Sequence, residues 1–141
     1  MSEGILEVSS EFEVGGRDYR ALGFVSEGFK LLKDSVVLEF GNQLFGYCEN
    51  NPCVNNCLDF SKLVYLSSAA VGKLITADKK HRMNREGMGL CLSGMIPDIY
   101  EVFSITHINQ TVFSQDQGRG RMPNIFDDVE SYQQAMRERY S

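Results

Sequence analysis

No apolar run in this 141-residue chain approaches the ~20 residues a membrane-crossing helix needs. The opening Met1-Ser2-Glu3-Gly4 also lacks the basic start of a secretory signal. The expected location is the cytoplasm, without membrane insertion. There is no positive excess either: 14 Lys and Arg stand against 19 Asp and Glu, for a net charge of -5. A general nucleic-acid binder needs a basic surface for phosphate contacts, so that class is excluded and protein partners are favoured. Histidine is scarce. Neither His81 nor His107 has the Asp or Ser neighbours of a catalytic triad, and solvated or capping roles are expected for both. No catalytic set, no cofactor and no enzymatic activity are expected. Paired C-x₂-C knuckles are missing as well. Cys48, Cys53 and Cys57 lie at spacings of five and four, with Cys91 far along the chain. Zinc held by these three with Cys91 or His81 is a remote reading, and a disulfide is no better supported in a cytoplasmic protein. Buried or incidental thiols are the expectation, with no metal.

What is present suits a globular fold. With 43% hydrophobic and 23% charged residues, the chain is expected to form a single domain over 1–141, with a core over about 5–116 and a C-terminal helix over about 125–139. Ile5 to Val14 alternates and ends at Gly15-Gly16, and Tyr19 to Val25 reads as a second strand, so a hairpin opens the fold. Between Leu31 and Glu49, apolar residues from Val36 to Cys48 recur at three and four, predicting a helix stopped by Asn50-Asn51-Pro52. Cys57 to Leu66 is apolar at nearly every position and reads as one strand buried on both faces, or a strand with its exit. A second helix is predicted over about Ser68 to Arg85, with Gly87 as its C-cap. Its basic run Lys79-Lys80-His81-Arg82 with Arg85 is expected on a solvated face, although it could lie beside an acidic partner surface. A short strand at Leu90-Cys91-Leu92 follows. Pro97 is placed to start a third helix with Ile99, Val102 and Phe103 inward. A strand at Ile108 to Phe113 and an exposed turn at Gly118-Arg119-Gly120-Arg121 come next. The last helix, Ile125 to Arg139, carries Phe126, Val129, Tyr132, Gln133 and Met136 at helical spacing. Strands alternating with helices imply an α/β fold, a central sheet covered by helices.

The most informative stretch is Tyr65 to Leu74, YLSSAAVGKL, because the apolar period changes there from strand to helix. The junction falls on Ser67 and Ser68. A serine at a helix start can offer its oxygen to free backbone N–H groups, and the helix dipole favours an anion there. Either serine can be a plain N-cap, and either can present its hydroxyl to a partner.

These residues resemble the STAS domains of sulfate transporters and anti-sigma-factor antagonists, in which a hydrophobic strand leads into Asp-Ser-Ser/Thr-Gly-Leu-Gly and a helix. The match runs through Leu58-Asp59-Phe60 and Tyr65-Leu66-Ser67-Ser68-Ala69-Ala70-Val71-Gly72. It continues through Gly87, Leu90-Cys91-Leu92, Pro97 to Thr106, and Ile108 to Phe113. The resemblance implies a mixed β-sheet flanked by helices. Counted from Gly72, Ser68 falls on the serine phosphorylated in the bacterial antagonists, with Ser67, Ala69 and Gly72 beside it in the partner-binding segment. Ser67 stands where phosphorylated members carry aspartate, Ala69 replaces the second hydroxyl, and Ala70 replaces glycine.

Two functions follow from the resemblance. One is a switch similar to an anti-sigma-factor antagonist, which binds an anti-sigma serine kinase, or another signalling protein, until Ser68 is phosphorylated. The alternative is a STAS scaffold or adaptor that is never phosphorylated and serves a larger signalling or transport assembly, which the missing aspartate favours.

Overall fold

A computed structural model describes residues 4–50, 53–85, 89–105, 114–116 and 121–140. The stop at Asn51-Pro52, the Gly87 cap, His107, the strand at Ile108 to Phe113 and the Gly118-Arg119-Gly120 turn lie outside the described residues.

The hairpin forms where the alternation requires it. Strand β1 (Leu6–Val14) pairs antiparallel with β2 (Arg17–Phe24), Leu6 opposite Phe24 and Val14 opposite Arg17. Gly15 and Gly16 take φ of 56° and 79°, a region that side chains resist and that tight hairpin turns require. A register shift between Val8 and Ser10 puts a bulge in β1. Strand β2 then pairs in parallel with β4 (Val54–Asp59), which explains why its last six residues are all buried.

Cys57 to Leu66 departs from the single-strand reading. Asp59 accepts from the Ser61 N–H at 3.0 Å and from the Ser61 hydroxyl at 3.2 Å, a side-chain turn that breaks the strand. The chain resumes as β5 (Leu63–Leu66), which pairs in parallel with β3 (Phe29–Leu31) in a separate two-stranded sheet. The sequence reading did not assign β3, which is only three residues long. Strand β6 (Cys91–Ser93) pairs in parallel with β4 on one side and with β9 (Ile125–Phe126) on the other. The main sheet runs β1-β2-β4-β6-β9, parallel except for β1, and is therefore mixed. Two further short strands, β7 (Ser114–Asp116) and β8 (Arg121–Pro123), form an antiparallel pair, so Arg121 belongs to a strand rather than to an exposed turn.

Alternation on the sheet divides the core. Leu22, Phe24, Leu58 and Leu92 face one way, packing with Phe40 and Leu44 of α1 (Asp34–Glu49), Ala70, Leu74 and Ala77 of α2 (Ser68–Asn84), and Ile99 and Phe103 of α3 (Pro97–Ile105). Tyr19, Cys57 and Cys91 pack on the other side against Tyr132 and Met136 of α4 (Val129–Tyr140). Helix α4 starts later than its apolar spacing predicts. Ile125 and Phe126 complete the sheet instead, and Asp128 opens the helix by accepting from the Ser131 N–H at 2.7 Å. In α3, Ile99 and Phe103 share a face at i and i+4, whereas Val102 is exposed.

The basic run of α2 is not the solvated face expected of it. Lys79 is exposed and Lys80 reaches Glu49 at 2.7 Å, but His81 is fully buried, its Nε2 accepting from the Asn56 N–H at 3.0 Å. Arg82 pairs with buried Asp78 at 2.9 Å, and Asp78 also accepts from the Leu90 N–H. Burial holds the Asp78 carboxyl above its usual range. Arg85 is buried as well, donating to the Cys48 carbonyl at 2.7 Å and the Val54 carbonyl at 2.6 Å. Helical spacing explains the inversion: positions 74, 78, 81 and 85 form one stripe, and its second half is polar. Helix α1 carries no basic residue in its last turn, so its terminal carbonyls need donors from elsewhere in the fold. Arg85 and Arg20, which donates to the Tyr47 carbonyl at 3.3 Å, fill that need. The two helices cross closely where Gly41 of α1 meets Lys73; a Cβ on Gly41 would lie 2.8 Å from the Lys73 Cδ.

Arg85→Ala is expected to lower unfolding free energy by roughly 2 to 4 kcal/mol, since two charged hydrogen bonds to carbonyls are lost. Urea denaturation measures it, and a loss below about 0.5 kcal/mol, the size of an ordinary surface change, would show that the clamp is dispensable.

Candidate functional site

The Tyr65 to Leu74 junction is built from the β5 exit and the first turns of α2. The Ser67 N–H donates to the Leu31 carbonyl at 3.1 Å, which ties the junction to β3. Ser67 itself is extended, with φ -76° and ψ 161°, and its hydroxyl accepts from the Ala70 N–H at 3.2 Å. It is therefore the N-cap of α2. Ser68 is the first helical residue and is exposed, and no hydrogen bond to its hydroxyl occurs among the described residues. Ala69 and Gly72 are exposed on the same opening turns, while Ala70 is buried in the core and Val71 and Leu74 pack inward.

Gly72 is not required by packing. A Cβ there would meet nothing within 4 Å, although glycine inside a helix costs about 1 kcal/mol relative to alanine. The first turn of α2 carries no acidic residue, so the positive end of the helix dipole is left uncompensated by side chains of that turn. Strand β5 leads into this turn with Val64 and Tyr65 both exposed. Of the two readings of Cys57 to Leu66, a strand buried on both faces or a strand with its exit, this exposure excludes the first, and the Asp59-x-Ser61 turn is the sequence signal that the buried strand ends.

The cysteines are dispersed. Cys48 belongs to the core beneath α1, Cys57 and Cys91 to the core beneath α4, and Cys53 is exposed. Cys57 and Cys91 are neighbours in register on β4 and β6, and the Cys57 thiol donates to the Ser93 hydroxyl at 3.5 Å. Burial pushes the Cys48 and Cys91 thiols up to about 12 and the Cys57 thiol well above its ordinary value. Among the described residues no group of three or more His, Cys, Asp or Glu side chains is arranged to hold a metal.

No protein-family model matches the sequence, and no curated protein matches it. Solved structures do. An anti-sigma-factor antagonist (STAS) domain protein from Planctomyces limnophilus superposes with a TM-score of 0.70 at 16% identity, over 96% of this chain and 99% of that one. The murine Solute Carrier 26 family member A9 anion transporter, in its inward-facing state, matches with a TM-score of 0.63 at 10% identity, over 89% of this chain but 18% of the transporter. The chain has the STAS fold, and among the described residues no helix is long and apolar enough to cross a membrane.

The serines should separate by stability. Ser67→Ala should cost about 1 kcal/mol through loss of the cap, while Ser68→Ala should stay within about 0.5 kcal/mol of wild type. Equal losses in thermal melts would contradict the assignment of the cap. A thiol-specific reagent at pH 8 should modify one cysteine per native chain, Cys53, and all four after denaturation. The buried thiols ionise more readily once unfolded, so their stabilisation is complete below the ordinary value of 9.0 and is lost as pH rises toward about 12. Urea midpoints should therefore fall from about pH 9 upward; a flat profile would show these thiols to be solvated.

Proposed function

We propose that the chain is a protein-interaction switch similar to an anti-sigma-factor antagonist. Unphosphorylated, it binds an anti-sigma serine kinase through Ser67, Ser68, Ala69 and Gly72, and phosphate on Ser68 ends that binding. One observation carries the reading: Ser67 does the capping, so the Ser68 hydroxyl at the exposed helix start has no structural task. This bears directly on the missing aspartate. Serine and aspartate are equivalent N-caps, so the geometry that presents the next hydroxyl is retained. A phosphate at Ser68 would add about -1.5 to -2 charge where the dipole accommodates it. The fold survives, and the interface fails through desolvation and repulsion. The process belongs to the cytoplasm and to control of transcription, with no catalysis by this chain.

A second reading has its own observation. The same fold forms 18% of a much longer anion-transporter chain, which suits an adaptor module that never cycles through phosphorylation. Titration calorimetry against a purified anti-sigma serine kinase separates the two. Ser68→Asp should weaken binding by one to a few kcal/mol while stabilising the fold by about 0.3 to 1 kcal/mol through the dipole. Ser68→Ala should bind as wild type does and resist release. Equal affinity of wild type and Ser68→Asp would sink the switch and leave the adaptor.

A further inference from the structure

The basic run of α2 is spent within the fold, since His81 and Arg85 are buried, Lys80 pairs with Glu49 and Arg82 pairs with Asp78. The cations left available lie elsewhere. Residues 28–38 and 62–77, which build β3, β5 and the opening turns of α1 and α2, carry Lys30, Lys33, Lys62 and Lys73 against Asp34 alone. Even with Glu27 and Glu39 counted at its margins, four cations stand against three carboxylates in a chain of net charge -5. Glu39 is moreover held by the Gln43 amide at 3.0 Å. Lys30 and Lys33 are exposed, and neither forms an ion pair among the described residues.

The same face exposes apolar side chains that the fold leaves uncovered. Leu32 and Leu38 are each 54% exposed, and Tyr65 is 45% exposed. Lys30 lies opposite Tyr65 in the β3–β5 register, and the bond from the Ser67 N–H to the Leu31 carbonyl places Leu32 beside the junction. Leu38 shares a stripe of α1 with Gly41 and Phe45, at i, i+3 and i+7. Both of those residues meet Lys73 of α2, so Leu38 stands on the α2 side of its helix. These side chains flank Ser68, Ala69 and Gly72, which are small and exposed. An exposed apolar group rimmed by charge marks a contact with another protein, and the lysines give that protein its sign.

We propose that Lys30, Leu32, Lys33, Leu38 and Tyr65 form one docking surface with the opening turns of α2, and that its occupant is a protein surface with an apolar centre and a border of Asp or Glu. This surface rests on the switch reading for the role of Ser68, and it supplies the repulsion that release requires. A phosphoserine there would face the partner's carboxylates across a desolvated contact. The lysines steer the encounter, and the apolar groups hold the complex once formed.

Surface plasmon resonance of the unphosphorylated chain over an immobilised, purified anti-sigma serine kinase, at low and at physiological salt, tests it. Lys30→Glu combined with Lys33→Glu should slow association about tenfold and flatten its salt dependence. Leu32→Ser and Tyr65→Ser should each speed dissociation about tenfold. Lys79→Glu, on a later turn of α2, should change neither rate. All five positions are exposed, and thermal melts check that the variants fold. Unchanged or faster association of the double lysine variant, an equal slowing by Lys79→Glu, or unchanged dissociation of either serine variant would each overturn the surface. Weaker binding by Ser68→Asp alone would keep the switch and remove this surface. Weaker binding by these variants, with Ser68→Asp unchanged, would keep the surface and remove the switch. No binding by the wild-type chain would remove both.

Discussion

The far end of α2 is fixed by a cation that no solvent can replace. Arg85 is withdrawn from water and gives its hydrogen bonds to carbonyls of α1 and β4. Three elements from separate parts of the chain thereby share one donor group. An unpaired buried guanidinium would be very costly, so the three can depart from this arrangement only together. His81 reinforces the joint through the Asn56 backbone, and Arg20 adds a second donor to the end of α1. With that end anchored, and with Ser67 hydrogen-bonded to Leu31 at the other, the first turn of α2 is held in a defined orientation. The exposed hydroxyl of Ser68 is a consequence of constraints at both ends of its helix.

This division also accounts for the chemistry that α2 displays. Its N-terminal half packs by small and branched apolar groups, Ala70, Leu74 and Ala77, while its C-terminal half packs by hydrogen bonds through Asp78, His81 and Arg85. The apolar half leaves Ser68, Ala69 and Gly72 with no role in the core. The polar half specifies which neighbours the helix accepts, since each buried polar group is satisfied by a particular backbone partner.

Much of this was legible in the sequence. The Gly15-Gly16 hairpin, helices α1 and α2 and the change of period at Ser67-Ser68 all follow from local patterns, and the structure has them in those places. What pattern could not carry was long-range pairing. Ile125 and Phe126 have helical spacing with Tyr132, yet join a strand because β6 offers a free edge. Leu63 to Leu66 continues the apolar run of β4, yet crosses to β3 after the Asp59 turn. His81 and Arg85 look like surface charge until Asn56, Cys48 and Val54 are brought beneath them by the sheet. At the junction itself, sequence located the two serines but could not divide their roles. That division depends on the backbone angles of Ser67, which are set by its bond to Leu31.

The bulge in β1 has a bearing on how the molecule behaves in a crowd. Strand β1 ends the main sheet, and an edge of nine residues is long enough to template pairing with another chain. The irregularity between Val8 and Ser10 breaks the even spacing of its outward backbone groups, and Glu7, Glu11 and Glu13 stand exposed along it. A second β1 laid antiparallel against the first would bring carboxylate toward carboxylate and lose register at the kink. The sheet is thereby guarded against growing from molecule to molecule, so an acidic, interrupted border serves solubility.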